Sequence, residues 1–222
     1  DLSTNRSLGL QAFKLQSVSP IGELALHRQS EAFLWGGAWG YEPLAVAPSS
    51  ASAPRDLLEN VSFADWSTDG KTLAVVTRIG GEDRLEMPPG RVLARTSGWF
   101  ADVRVSPDGR RIAFGEFPVI GDSRGAVACV DAAGRKTTLT NEFAAIGGVA
   151  WSRGGDEVWF SAGTGYRTDL YAVTVEGRQR AVARFPSGVR LHDLAPDGRV
   201  LLASRYVEQG IRGRSAADDK ER

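Results

Sequence analysis

Apolar and polar positions along this chain fall into short blocks, with no sustained helical stripe. Runs such as "TLAVV" (72–76), "RIAFG" (111–115), "EVWFS" (157–161) and "VLLAS" (200–204) are rich in β-branched and aromatic residues. Each follows a polar turn phrase. The full phrases are "WSTDGKTLAVV" from Trp66, "VSPDGRRIAF" from Val105, "WSRGGDEVWF" from Trp151 and "LAPDGRVLLAS" from Leu194. "VSPIGELAL", from Val18 to Leu26, is a worn copy. Pro presets φ for a turn, Asp bonds back to nearby backbone, and Gly accepts φ > 0. Strand, tight turn, strand is therefore the predicted unit: a β-hairpin.

The turn glycines are Gly22, Gly70, Gly109, Gly155 and Gly198, at intervals of 48, 39, 46 and 43 residues. A period of about 40–45 belongs to repeat architectures. The second half of each unit is also strand-like, as in "EPLAVAPSSASAPRDLL", "GAVACVDAAGRKTTLT" and "DLYAVTVEGRQRAVAR". Four short antiparallel strands per repeat predict an all-β fold, the β-propeller, with four-stranded blades. One blade cannot bury both its faces, so blades stack on their neighbours. About five blades are expected, at 12–60, 61–99, 100–145, 146–188 and 189–222. Trp66, Val105, Trp151 and Leu194, four residues before each turn glycine, read as blade-packing core. The turn pattern departs twice: Ile21 stands in place of the Asp, and Arg153-Gly154-Gly155 in place of Pro-Asp-Gly.

The ends are ragged. "RSLGLQ" reads as the outer strand of an earlier blade, and the fifth unit stops at "SAADDKER". An incomplete ring is expected, within a fragment of something longer. Its open blade faces would invite self-association, or capping by the aromatic loop described below.

The chain has 27 basic and 27 acidic residues and so a formal net charge of zero. That argues against a nucleic-acid surface or a polybasic membrane patch. No apolar run approaches the ~18 residues needed to span a bilayer, so no membrane insertion is expected. Cys129 is the only cysteine, and His27 and His192 are the only histidines. Neither a disulfide within the chain nor a metal site of ordinary ligand spacing can be composed from them. No Gly-x-Ser-x-Gly elbow and no kinase signature is present. No catalytic residue, metal or cofactor is predicted.

Two groups of residues carry the candidate chemistry. Asp65, Arg104 and Asp193 share one place in the repeat, five residues before the turn glycine, and His192 adjoins them. Innermost strands converge on the propeller axis, so these four are candidates for a binding mouth of the channel. The plain alternative is that the aspartates tie neighbouring blade backbone and Arg104 balances their charge. The second group is the insertion "HRQSEAFLWGGAWGYEP", which brings Phe33, Trp35, Trp39 and Tyr41 onto one loop. Such aromatics either contact a partner or cap a terminal blade face.

"SPDGRRIAF" resembles the repeats of TolB-type propellers. "LLENVSFADWSTDGKTLAVV", "RLEMPPGRVLARTSGWFADVRVSPDGRRIAF", "DLYAVTVEGRQRAV" and "LHDLAPDGRVLLASR" narrow the likeness. These blocks resemble the propeller region C-terminal to the catalytic domain of bacterial eukaryotic-like serine/threonine kinases. The resemblance implies a non-catalytic sensory or interaction propeller, with a protein, peptide or small ligand at the channel mouth. It implies an extracytoplasmic location if the parent is a membrane kinase. The gating propeller of a prolyl-oligopeptidase-like peptidase and a periplasmic TolB-like assembly protein are the alternatives.

Overall fold

The computed structural model describes residues 8–28, 40–50, 53–164, 167–195 and 197–205. These residues form an all-β arc of antiparallel sheets, an open β-propeller. The first blade comprises β1 (Phe13–Val18), β2 (Glu23–Arg28), β3 (Glu42–Pro48) and the start of β4 (Arg55–Trp66). Beyond Asn60, where φ is +56°, β4 crosses into the second blade. There it pairs with β5 (Leu73–Ile79), followed by β6 (Glu82–Glu86) and β7 (Val92–Thr96). The third blade holds β8 (Trp99–Val105), β9 (Arg111–Phe117), β10 (Ala126–Asp131) and β11 (Lys136–Thr138). The fourth holds β12 (Ala145–Trp151), β13 (Glu157–Thr164), β14 (Arg167–Thr174) and β15 (Gln179–Ala183). β16 (Gly188–Leu194) and β17 (Val200–Arg205) are the described part of the fifth.

Stacking of the blades explains the apolar runs. In β5, Val75 packs toward the first blade with Leu44, Val61 and Trp66, while Ala74 and Val76 pack toward Phe100 and Phe114 of the third. Both faces of the strand are covered, so consecutive residues are buried instead of every second one. β13 repeats this: Val158, Phe160 and Ala162 join the core shared with Trp99, Phe117 and Trp151, and Trp159 faces Leu170 and Leu191. Trp66, Val105 and Trp151 are buried as blade-packing residues, and Leu194 is partly buried.

All five turn phrases form hairpins. Ser67 Oγ donates to Asp69 Oδ1 (2.6 Å) and accepts from the Thr72 amide, while Gly70 N closes on Ser67 O at 2.8 Å. Ser106, Asp108 and Gly109 repeat the pattern. In the fourth blade the aspartate has moved past the glycine: Ser152 Oγ donates to Asp156 Oδ1 at 2.7 Å. The Arg-Gly-Gly substitution is thereby compensated. In the first blade Ser19 Oγ caps the Glu23 amide and Ile21 makes no equivalent bond to the turn. The serine hydroxyls hold Asp69, Asp108 and Asp156 below the usual carboxylate range.

The start of the described chain differs from expectation. Leu8, Gly9 and Leu10 form no strand; Leu8 and Leu10 lie against Leu24, Leu26, Ala45 and Ala47 of the first blade. Two leucines with no blade of their own bury more surface across that apolar face than in a lone edge strand. Among the described residues the innermost strands pack in turn from β1 to β4, β8, β12 and β16, and β16 does not pack back onto β1 in the same way, so the arc is open between the first and fifth blades.

Candidate functional site

The five innermost strands share a feature that the repeat phrase conceals. Each is bulged, at Gln16, Ser62, Asp102–Val103, Gly148 and His192. A bulge bends its strand and re-aims the side chains beside it. Asp102 and Gly148 adopt left-handed φ, +54° and +78°. At Gly148 nothing larger fits, because an added Cβ would lie 1.8 Å from Leu191 O.

These strands surround a cleft of about 530 Å³ between the first and fifth blades. Asp65, Arg104, His192 and Asp193 all line it, so four residues far apart in sequence come together. Leu15, Val18 and Leu201 form its apolar rim, each more than half exposed. Trp151 forms a wall and is fixed by donating its indole N–H to Arg104 O at 2.9 Å.

The two aspartates are held differently. Asp65 accepts Ser17 Oγ at 2.6 Å through Oδ1 and the Val105 amide at 2.8 Å through Oδ2. It therefore links the first, second and third blades. Burial raises its pKa, and the positive charge of Arg104 opposes that rise. Asp193 is exposed, and among the described residues its Oδ1 accepts the adjacent Leu194 amide. Arg104 spans the cleft floor, donating to His192 O at 3.2 Å and to Val103 O. His192 is held below the ordinary histidine pKa by burial and by Arg190, with Asp102 opposing. Its imidazole is neutral at pH 7, able to donate from one nitrogen and accept at the other.

A second charged layer stands with this one. Buried Asp102 accepts the Gly148 amide at 2.9 Å and a guanidinium N–H of Arg190. Lys14 belongs to the same electrostatic group: burial lowers its pKa first, then Arg190, with Asp102 opposing. The sequence reading missed Lys14, Asp102 and Arg190. They lie seven or eight residues before their turn glycines, a polar recurrence that carries the same kind of signal as Asp65 and Arg104.

Of the aromatic loop, Phe33, Trp35 and Trp39 lie outside the described residues. Tyr41 is half-buried, and its hydroxyl donates to Asp83 Oδ1 at 2.7 Å and accepts from Arg78 at 3.1 Å. Asp83 is fully buried and also takes the Phe100 amide. Tyr41 thus belongs to a knot across the first three blades, and its pKa is pushed up to about 12 by burial and by Asp83. Among the described residues no group of three or more His, Cys, Asp or Glu is placed to hold a metal ion.

No family model matches the chain, and no curated protein sequence does. Solved structures do. TolB from Acinetobacter baumannii superposes with a TM-score of 0.67 at 20% identity, over 85% of this chain and 48% of that one. This chain thus spans about half the length of that TolB. A putative TolB from Agrobacterium tumefaciens gives 0.67 at 18% identity, over 91% of this chain and 73% of that one. A prolyl endopeptidase gives 0.55 at 14% identity, over 87% of this chain and 34% of that one. At these identities the likeness shows the fold alone, a β-propeller similar to that of TolB.

Proposed function

We propose that the chain is a non-catalytic interaction or sensory propeller that takes a peptide, protein or small ligand in its axial cleft. The observation that carries this reading is the convergence of Asp65, Arg104, His192 and Asp193 on one cleft with an apolar rim. One cation, a neutral imidazole and an exposed carboxylate beside exposed leucines suit a ligand with both polar and apolar groups. Ser17, the hydroxyl nearest this chemistry, gives its hydrogen to Asp65 and so has no histidine base there. The likeness of the sequence blocks to kinase-associated propellers supports a parent serine/threonine kinase of a bacterium. The prolyl endopeptidase superposition supports a second reading, the gating propeller of a peptidase. The TolB superpositions support a third, an assembly protein.

Panning a random-peptide library on the purified chain tests the binding role. Selected peptides are expected to bind Arg104→Ala at least tenfold more weakly, at a temperature where the variant is fully folded. The axial site is refuted if no selected peptide loses affinity for the variant. Turnover of peptide, ester or ATP substrates, abolished by a single substitution in the chain, would refute the non-catalytic reading.

A further inference from the structure

We propose that the turn-bearing end of the second blade carries a separate site, a two-slot groove that docks an acidic peptide segment of a partner protein through apolar anchors. The first slot, about 270 Å³, lies between the first and second blades and is floored by Val46, Leu57, Trp66 and Leu73. The second, about 180 Å³, lies between the second and third blades on Met87, Leu93 and Ile112. They meet at the β6–β7 turn, where Pro88 lines one and Pro89 the other, and Thr72 lines both. Neither shares a lining residue with the axial cleft.

The charge around the groove defines its occupant. Arg55 and Lys71 border the first slot, and Arg91, Arg110 and Arg111 the second. Glu23 is the one carboxylate among the lining residues of the two. The chain as a whole is neutral, whereas the lining of the groove carries five cations to one carboxylate. Asp69 and Asp108 stay charged on the turns that carry Lys71 and Arg110 and offset part of this charge, while Asp131 pairs with Arg135. Arg110 reaches Asp108 only at 4.0 Å. Positive rims around apolar floors match a chain that alternates carboxylates with bulky apolar side chains. Each slot is smaller than the ~300 Å³ at which cofactor and drug-sized pockets begin. One side chain per slot fits better than a single compact ligand.

The wall between the slots is rigid before anything binds. Met87 N bonds to Arg91 O (3.0 Å), Arg91 N to Pro88 O (2.9 Å), and Gly90 N to the carboxylate of buried Glu86 (2.6 Å). Arg91 reaches across to Ala132 O on the third blade. Little ordering cost therefore falls on the groove at binding. The indole N–H of Trp66 is buried with no acceptor among the described residues, whereas that of Trp151 is satisfied.

The test uses fluorescein-labelled decapeptides of Asp and Glu carrying one Leu and one Phe at varied spacing, read by anisotropy with the full chain. At least one spacing is expected to bind saturably and to weaken as salt rises. Lys71→Glu with Arg110→Glu should weaken it at least tenfold, as should replacing Leu and Phe by Ser. Both protein side chains are exposed, and Lys71→Ser with Arg110→Ser gives a milder pair if the reversals lower the melting temperature. Arg104→Ala in the axial cleft should leave binding unchanged, which separates this site from the first. The proposal is overturned if no spacing binds below about 1 mM, or if the Ser peptide binds equally. Loss with Arg104→Ala overturns it, as does preferential binding to phosphatidylglycerol vesicles. Self-association of the chain abolished by the double variant would identify a second copy as the occupant instead.

Discussion

Asp65 and Asp193 occupy one position of the repeat and are held in different ways. Asp65 accepts hydrogen bonds from two other blades, whereas Asp193 accepts one from its own neighbour. Asp65→Asn replaces an acceptor with an amide that faces a donor, which costs about 1–3 kcal/mol. Asp193→Asn is an exposed change and should stay within about 0.5 kcal/mol. Urea melts of the two variants decide this; equal losses would contradict the geometry. His27 makes a pH prediction. It is buried beside Lys14, its cross-strand partner, and its pKa is lowered from 6.5 to about 4 by burial and by that charge. The folded state thus binds fewer protons than the unfolded state between those values. Stability from this group is complete above pH 6.5 and falls as pH drops toward 4, by at most about 3 kcal/mol. The raised pKa of Asp65 contributes with the opposite sign at acid pH. The effect is therefore read as wild type minus His27→Leu, and an equal pH dependence of the two would exclude it. Asp65, Arg104 and Asp193 were legible because they recur at one distance from the turn glycine. Lys14, Asp102 and Arg190 were not, because they lie in or beyond the bulge that interrupts each innermost strand, at unequal distances from the phrase that reveals the repeat.

Hairpins were the most legible elements, since their turn chemistry is local. Ser-x-Asp-Gly writes its own hydrogen bonds, and even the fourth turn keeps them through Asp156. The bulges were illegible, because each depends on what the next blade presents. Gly148 shows why: its amide meets Asp102 on one side and its Cα faces Leu191 backbone on the other. Gly148→Ala forces backbone against backbone at a left-handed φ, so a loss of roughly 3 kcal/mol or more is expected. Hydrogen exchange should show β16 amides opening first. A variant as stable as wild type, with β16 equally protected, would mean that this contact does not hold the fifth blade. The run "RSLGLQ" reads as a strand by composition, yet its described part serves as an apolar cover on the first blade. An isolated apolar segment carries no signal of which surface it will cover.

The repeat period predicts a propeller, and the described residues form one, with Val75 and Val76 facing opposite neighbours inside a single strand. The open arc agrees with the incomplete ring expected from the repeat. Where the opening leads was not legible, because that depends on blades far apart in sequence. The seam places Leu15 and Val18 on one side of the axial cleft and Leu201 on the other, with Arg104 and His192 between. A ligand held there would cover apolar rim and polar floor together, so the open seam and the proposed binding site coincide. A crystal structure of the chain with a library-selected peptide tests this most directly. The account predicts five blades with β1 unpaired to β16 or β17, and the peptide in the seam against Arg104 and His192. A ring closed by hydrogen bonds between the first and last blades, with the peptide outside the seam, would contradict it.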